Sequence, residues 1–228
     1  MKQFIYLAAA SLLCVSCFTV NSNYKGGKNA VKGEGPVVTK SFELKDFDAI
    51  CVNGNADVVF TQADTFEVTV RTQENVFDEL DYTVEDGVLM IQAKDHRTVR
   101  ADEYDVTVKA PDMTSIVVNG AADFDIPGGL RTEGKMKVQV NGAGDMEFKG
   151  IVCEKLEIEA NGASDIEALD IDVKTLKIQI NGAGDVDVTG KTVDANLEVN
   201  GAGDIDASGL KVSGEVKKHT SGLAKINL

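Results

Sequence analysis

Tryptophan is missing from this chain, and among its 228 residues there are two histidines, three prolines and four cysteines, with aromatic side chains at only 6%. Without tryptophan the chain lacks the commonest platform for stacking a sugar, leaving Tyr82, Tyr104 and some phenylalanines for that job. His96 and His219 stand in no metal-type spacing with other ligands, and no nucleophile elbow, phosphate loop or zinc pattern occurs. Positive charge is also scarce: 23 Lys and Arg against 37 Asp and Glu leave a net charge of −14. Such a body repels phosphate backbones, which excludes nucleic acid as a natural partner and favours cations or basic surfaces. The one long apolar run, Phe4 to Val15, has signal-peptide length and is too short to span a bilayer.

What the chain does have is 43% apolar residues, too many for a disordered protein, and 22 glycines. Lys2 before the apolar run, and Ser16-Cys17 after it, resemble the lipobox of bacterial lipoproteins, with Cys17 as the lipid acceptor. A plain secretory cleavage or an uncleaved anchor is the alternative; Cys14 is disfavoured as acceptor because bulky Leu13 precedes it. Residues 1–16 are therefore expected to be a lipoprotein signal peptide. Residues 17–36 would be the lipidated Cys and a flexible tether with a random-coil reach of roughly 24 Å. The partner implied is a membrane, and the expected location is the cell envelope, as an outer-membrane lipoprotein facing either the periplasm or the surface.

Residues 37–228 contain a repeat. Asn-Gly, two small residues and Asp recur from Asn119, Asn141, Asn161, Asn181 and Asn200, with an earlier copy at Asn53 and a decayed one at Ser221. From Asn119 the starts are 22, 20, 20, 19 and 21 residues apart, and the 66 residues from Asn53 to Asn119 leave room for about three more units. Around each Asn the side chains alternate. Val118, Val140, Ala160, Ile180 and Val199 precede it; Phe124, Met146, Ile166, Val186 and Ile205 follow the Asp. A third apolar patch comprises Ile151/Cys153, Ile171/Val173, Val193 and Leu210/Val212. A second corner falls at Gly128, Gly150, Gly190 and Gly209, with Asp170 in the remaining unit.

Asn-Gly between strands is also a hairpin signal. A hairpin series, however, needs neither a strict period near twenty nor a third apolar patch. Three short inward-facing strands per unit describe one rung of a parallel β-solenoid, an all-β, β-helix-like fold. Rungs at about 4.8 Å from Asn119 to Ser221 build about 30 Å of axis. Stacking places Asn53, Asn119, Asn141, Asn161, Asn181 and Asn200 in a corner ladder of amides. The less regular N-terminal half, with a hairpin at Asp86-Gly87, is expected to continue the solenoid or cover its first rung, and Lys217, Lys218 and Lys225 to blunt its far edge.

Asp123, Asp145, Asp165, Asp185 and Asp204 form a second column. Each is expected to accept hydrogen bonds from its own turn; the sharper reading is a strip that binds divalent cations such as calcium. Cys51 and Cys153 could pair in an oxidising compartment, although Cys153 occupies a core slot shared with Val173, Val193 and Val212. An enzyme is a second class: solenoids carry polysaccharide-cleaving carboxylate pairs. The acids here recur in every rung, whereas a catalytic site is needed once.

Phe47 to Val58, Val84 to Ile91, and Val106 to Pro111 leading into Ile116-Val117-Val118-Asn119-Gly120 resemble the auto-transporter adhesin head GIN domain family over about residues 37–228. The resemblance implies an all-β, β-helix-like extracytoplasmic domain, often on lipoproteins, with an adhesive role suggested by the family's name. No room for a translocating barrel follows Leu228, so a lipid anchor is expected to replace it. The resulting expectation is a non-catalytic adhesin-like binding or scaffolding module for a protein or glycan ligand. A carbohydrate-active β-helix enzyme and a calcium-stabilised structural envelope protein are the alternatives.

Overall fold

A computed structural model describes residues 30–228. The expected signal peptide, the acceptor Cys17 and the tether up to residue 29 lie outside the described residues. In chain order the strands are β1 (Val31–Lys32), β2 (Val37–Phe42), β3 (Ala49–Gly54), β4 (Asp57–Gln62), β5 (Glu67–Gln73), β6 (Leu80–Glu85), β7 (Val88–Ala93), β8 (Val99–Arg100) and β9 (Tyr104–Ala110). They continue as β10 (Ser115–Ala121), β11 (Phe124–Ile126), β12 (Leu130–Arg131), β13 (Lys135–Lys149), β14 (Ile151–Gly182), β15 (Asp185–Gly201), β16 (Asp204–Val212), β17 (Val216–Gly222) and β18 (Lys225–Asn227). The 32 residues of β14 are longer than a rung because extended backbone runs on round the corners.

From β10 onward every pairing is parallel, and the Asn corners stay in register. Asn119 lies on Asn141 and that on Asn161; Asn181 lies on Asn200 and that on Ser221. The result is a β-solenoid of about five turns with about 21 residues per turn. Its interior is filled by the expected alternating positions, among them Val118, Val140, Ile158, Ile180, Val199, Phe124, Phe148, Ile166 and Ile205, all at 1% exposure or less. No helix among the described residues is long and apolar enough to cross a membrane.

The third patch holds with one correction: Val193 is 47% exposed and Thr192 takes the inward slot, pairing with Val173 below and Val212 above. The Asn181 unit is one residue short of twenty. The register slips between Ala168 and Ile171, so a fixed offset counted from the Asn overshoots by one. At that corner Asp170 adopts φ 57°, the left-handed backbone that Gly150 (64°) and Gly190 (119°) supply elsewhere. Gly128 does not do so; its neighbour Gly129 does, at 81°.

Of the two courses expected for the N-terminal half, it takes the second, covering the first rung instead of filling the space between Asn53 and Asn119 with further units. Strand β3 pairs directly with β10, placing Asn53 in register with Asn119. The intervening residues form a curled mixed sheet. On one face β7 adds parallel to β3 and folds back as the β6–β7 hairpin through Asp86-Gly87. On the other, β4 lies between β11 and β9, and antiparallel β5 and β2 complete the edge. Apolar closure explains this: Val68, Val70, Val76, Phe77 and Leu80 are buried and cover the first rung, whose core would otherwise face water. Residues 31–36, expected to belong to the tether, are held by the body. Asn75 donates to the Lys32 carbonyl (2.9 Å) and accepts from the Glu34 amide (2.8 Å), and β1 pairs with β8, so residues 31–36 lie against the body.

Candidate functional site

One outer face is built around the Asn column. The amide of Asn119 donates to Oδ1 of Asn53 (2.8 Å), Asn141 to Asn119 (2.8 Å), Asn161 to Asn141 (3.0 Å), Asn181 to Asn161 (2.8 Å) and Asn200 to Asn181 (3.2 Å). Asn53 closes the lower end by donating to Gln92 (3.2 Å). A companion column that the sequence reading did not single out stands two residues before the last four Asn, as Gln139, Glu159, Gln179 and Glu198. The two glutamines donate to Oδ1 of Asn141 and Asn181; the two glutamates accept the second N–H of Asn161 and Asn200. Alternating amide with carboxylate keeps like charges from stacking directly across adjacent strands. Lys135 and Lys155 both pair with Glu157, and Lys137 approaches Glu159 at 3.5 Å. Partial burial pushes the Glu157 carboxyl upward, but the hydrogen bonds from the two lysines outweigh it and hold the group down at about 2.

The glycine after each Asn has a reason other than a hairpin turn. Gly120, Gly142, Gly162, Gly182 and Gly201 stack on one another with φ between 142° and 156°. A Cβ on Gly162 would lie far inside van der Waals distance of the Gly142 carbonyl oxygen. Those carbonyls bind the next rung: the amides of Ala183, Ala202 and Leu223 donate to the oxygens of Gly162, Gly182 and Gly201 at 2.8–2.9 Å.

The Asp column borders the next face, and its hydrogen bonding corrects the expected one. The carboxylate of Asp123 accepts from the amide of Asp145 (3.0 Å), Asp185 from that of Asp204 (2.8 Å) and Asp204 from that of Lys225 (2.8 Å). For these three the partner is the neighbouring rung, not the residue's own turn. A second acidic column runs in register through Asp125, Glu147, Glu167, Asp187 and Asp206. Crowding is felt at the N-terminal end of this face. Partial burial, then Asp123, Asp105 and Asp125, push the Asp57 carboxyl upward; partial burial, then Glu147 and Asp123, do the same to Asp125. Among the described residues no three His, Cys, Asp or Glu side chains converge as metal ligands.

Cys51 and Cys153 are both buried and not joined in a disulfide. Cys51 sits under the ladder, where its sulfur lies 3.7 Å from the Asn119 amide. Burial pushes the Cys153 thiol upward. Away from the rungs, Asp46, Asp48, Asp112, Phe66 and Pro111 line a shallow pocket over buried Phe47. His219 lies on the outermost strand, β17, every residue of which is exposed. By register Lys218 occupies the position held by buried Leu197 in the rung below, so an ammonium-bearing side chain stands at the far end of that apolar column.

The chain belongs to the family described as Putative auto-transporter adhesin, head GIN domain, which matches residues 46–228. It is similar to the crystal structure of a putative adhesin from Parabacteroides distasonis, at 23% identity and a TM-score of 0.79 over 87% of this chain and 84% of that one. It is also similar to a putative adhesin from Bacteroides fragilis, at 18% identity and 0.72 over 86% and 99%. A third likeness, to a putative lipid binding protein from Parabacteroides distasonis, has 22% identity and 0.72 over 87% and 99%. At these identities the likeness is one of fold. No curated protein matches the chain.

Proposed function

We propose that this chain is a non-catalytic extracytoplasmic lipoprotein, anchored through Cys17, whose solenoid serves as an adhesin-like binding or scaffolding module. The observation that carries this reading is the uniformity of the stacked rungs. The same amide, small residue and carboxylate recur at the same positions from Asn119 to Asp204, so the faces offer a repeated surface rather than a single reaction centre. A surface of this kind suits an extended protein or glycan ligand, bound by many weak contacts at once. Membership of an adhesin family supports the same direction.

Two measurements test it. Cells expressing the chain and fed a labelled fatty acid should incorporate the label into the membrane fraction, and Cys17→Ser should abolish both labelling and membrane retention. The purified body should retain ligands from glycan and envelope-protein arrays without producing cleavage products. Glycan hydrolysis lost on substitution of Asp46, Asp48 or Asp112 would overturn the non-catalytic reading, and proteolysis of intact cells would show which side of the outer membrane the body faces.

A further inference from the structure

The chain carries six Asn-Gly pairs, the dipeptide whose flexible glycine amide most readily attacks the preceding side chain. In the solenoid they are not equivalent. Each interior pair is held between two rungs: Asn141, Asn161 and Asn181 donate to the rung below and accept at Oδ1 from the rung above. At the lower end Asn53 is held likewise, donating to Gln92 and accepting from Asn119. Asn200 differs. The residue above it is Ser221, which has no amide to offer, and among the described residues Oδ1 of Asn200 accepts no hydrogen bond. On its upper side Gly201 pairs only with Gly222 of β17, the fully exposed outermost strand. An exposed edge strand is the first part of a stack to open.

We propose that Asn200 is a site of spontaneous deamidation, and that the ladder protects the other five Asn-Gly pairs for as long as the fold is intact. When β17 lifts, the Gly201 nitrogen loses its proton to water or hydroxide and bonds to Cγ of Asn200. The Cγ–Nδ2 bond breaks and ammonia leaves with the proton it needs, giving a succinimide. Water then opens the ring at either carbonyl, yielding aspartate or isoaspartate. No oxidant or other cofactor is involved.

The product acts on the structure. The two N–H donors that Asn200 directs at Asn181 (3.2 Å) and Glu198 (2.8 Å) are replaced by a carboxylate beside Glu198. Isoaspartate also inserts a methylene into the main chain, which breaks the alternation that keeps Val199 inside. The last two rungs loosen and Asn181 becomes the new exposed end, so the modification advances inward rung by rung.

The test is a timed incubation of the folded full chain at mildly alkaline pH, followed by peptide mapping that resolves aspartate from isoaspartate. The Asn200-Gly201 peptide should convert about tenfold or more faster than those of Asn141, Asn161 and Asn181, as expected where only the edge opens locally. In denaturant all six should converge. Ser221→Asn supplies the missing donor; it should slow Asn200 in the folded protein, transfer the fastest conversion to position 221, and leave the denatured rates unchanged. Interior pairs that convert as fast as Asn200 in the folded chain, or an Asn200 rate indifferent to Ser221→Asn, would overturn the proposal.

Discussion

The side-chain nitrogen of Asn161 lies 3.0 Å from Oδ1 of Asn141, so two residues twenty positions apart are joined across a rung boundary. The same amide donates to Glu159 (3.1 Å), and its oxygen accepts from Asn181 (2.8 Å). A single side chain therefore ties three rungs together.

Replacing it should be expensive for one residue. Asn161→Ala removes three bonds and leaves half-buried partners unsatisfied, which lowers stability by about 2–3 kcal/mol. The melting temperature should fall by roughly 4–12 °C in a chain of this size. Asn196→Ala, on the same outer face but outside the ladder, serves as the control. Equal melting of the two variants would show that the ladder contributes nothing.

The glycine column makes a sharper claim. In Gly162→Ala the new methyl group collides with the Gly142 carbonyl, and neither backbone can retreat without breaking the rung contact. A loss of about 3 kcal/mol or more is expected, or failure to fold. Gly128, with no atom within 4 Å of a Cβ built on it, should accept Ala with no loss. Thermal melts of the two proteins decide the matter.

Two carboxylates should respond to pH with opposite signs. The native pKa of Glu157 is depressed, so its stabilising effect is complete above the unfolded value and is lost as pH falls toward about 2. Glu157→Gln should therefore lower the melting temperature at neutral pH, and the gap should close in strong acid. Asp57 is raised, first by burial and then by its acidic neighbours, so its ionised form strains the folded state. Asp57→Asn should melt higher than the parent at neutral pH and converge with it below the ordinary carboxylate range. Melting curves across the acid range check both signs.

Lys218 stands where the preceding rung has Leu197. A charge in that position on an outer strand keeps one chain from extending another. Lys218→Leu should complete an apolar edge together with Val216 and Ile226, and promote concentration-dependent association visible in sedimentation velocity. A variant that remains monomeric at high concentration would assign the protection to Lys217 or Lys225 instead.

Much of this architecture could be read from the residues alone. Alternation around Asn141 or Asn181 is a local property, because neighbouring side chains on extended backbone must point to opposite sides. Repetition of the Asn and Asp at a near-constant interval then requires equivalent residues to stack. Even the Gln/Glu companion column stands in the letters two places before the last four Asn, but it varies where the Asn does not and so gives no repeat signal. The place of Lys218 at the end of the Leu197 column was available too, by alignment.

Other features were decided only by the folded chain. That Thr192 rather than Val193 turns inward depends on where a one-residue deficit is absorbed, and it is absorbed where Leu169 and Asp170 of one rung face Thr189 alone in the next. The residues between Asn53 and Asn119 could have made rungs; they became a mixed sheet because the first rung needed a cover, and covering is a contest between distant segments. The carboxylate of Asp123 bonds the rung above rather than its own turn for the same reason. Local alternation is written into each strand, but hydrogen bonds between rungs and the closing of the core exist only once the rungs have met.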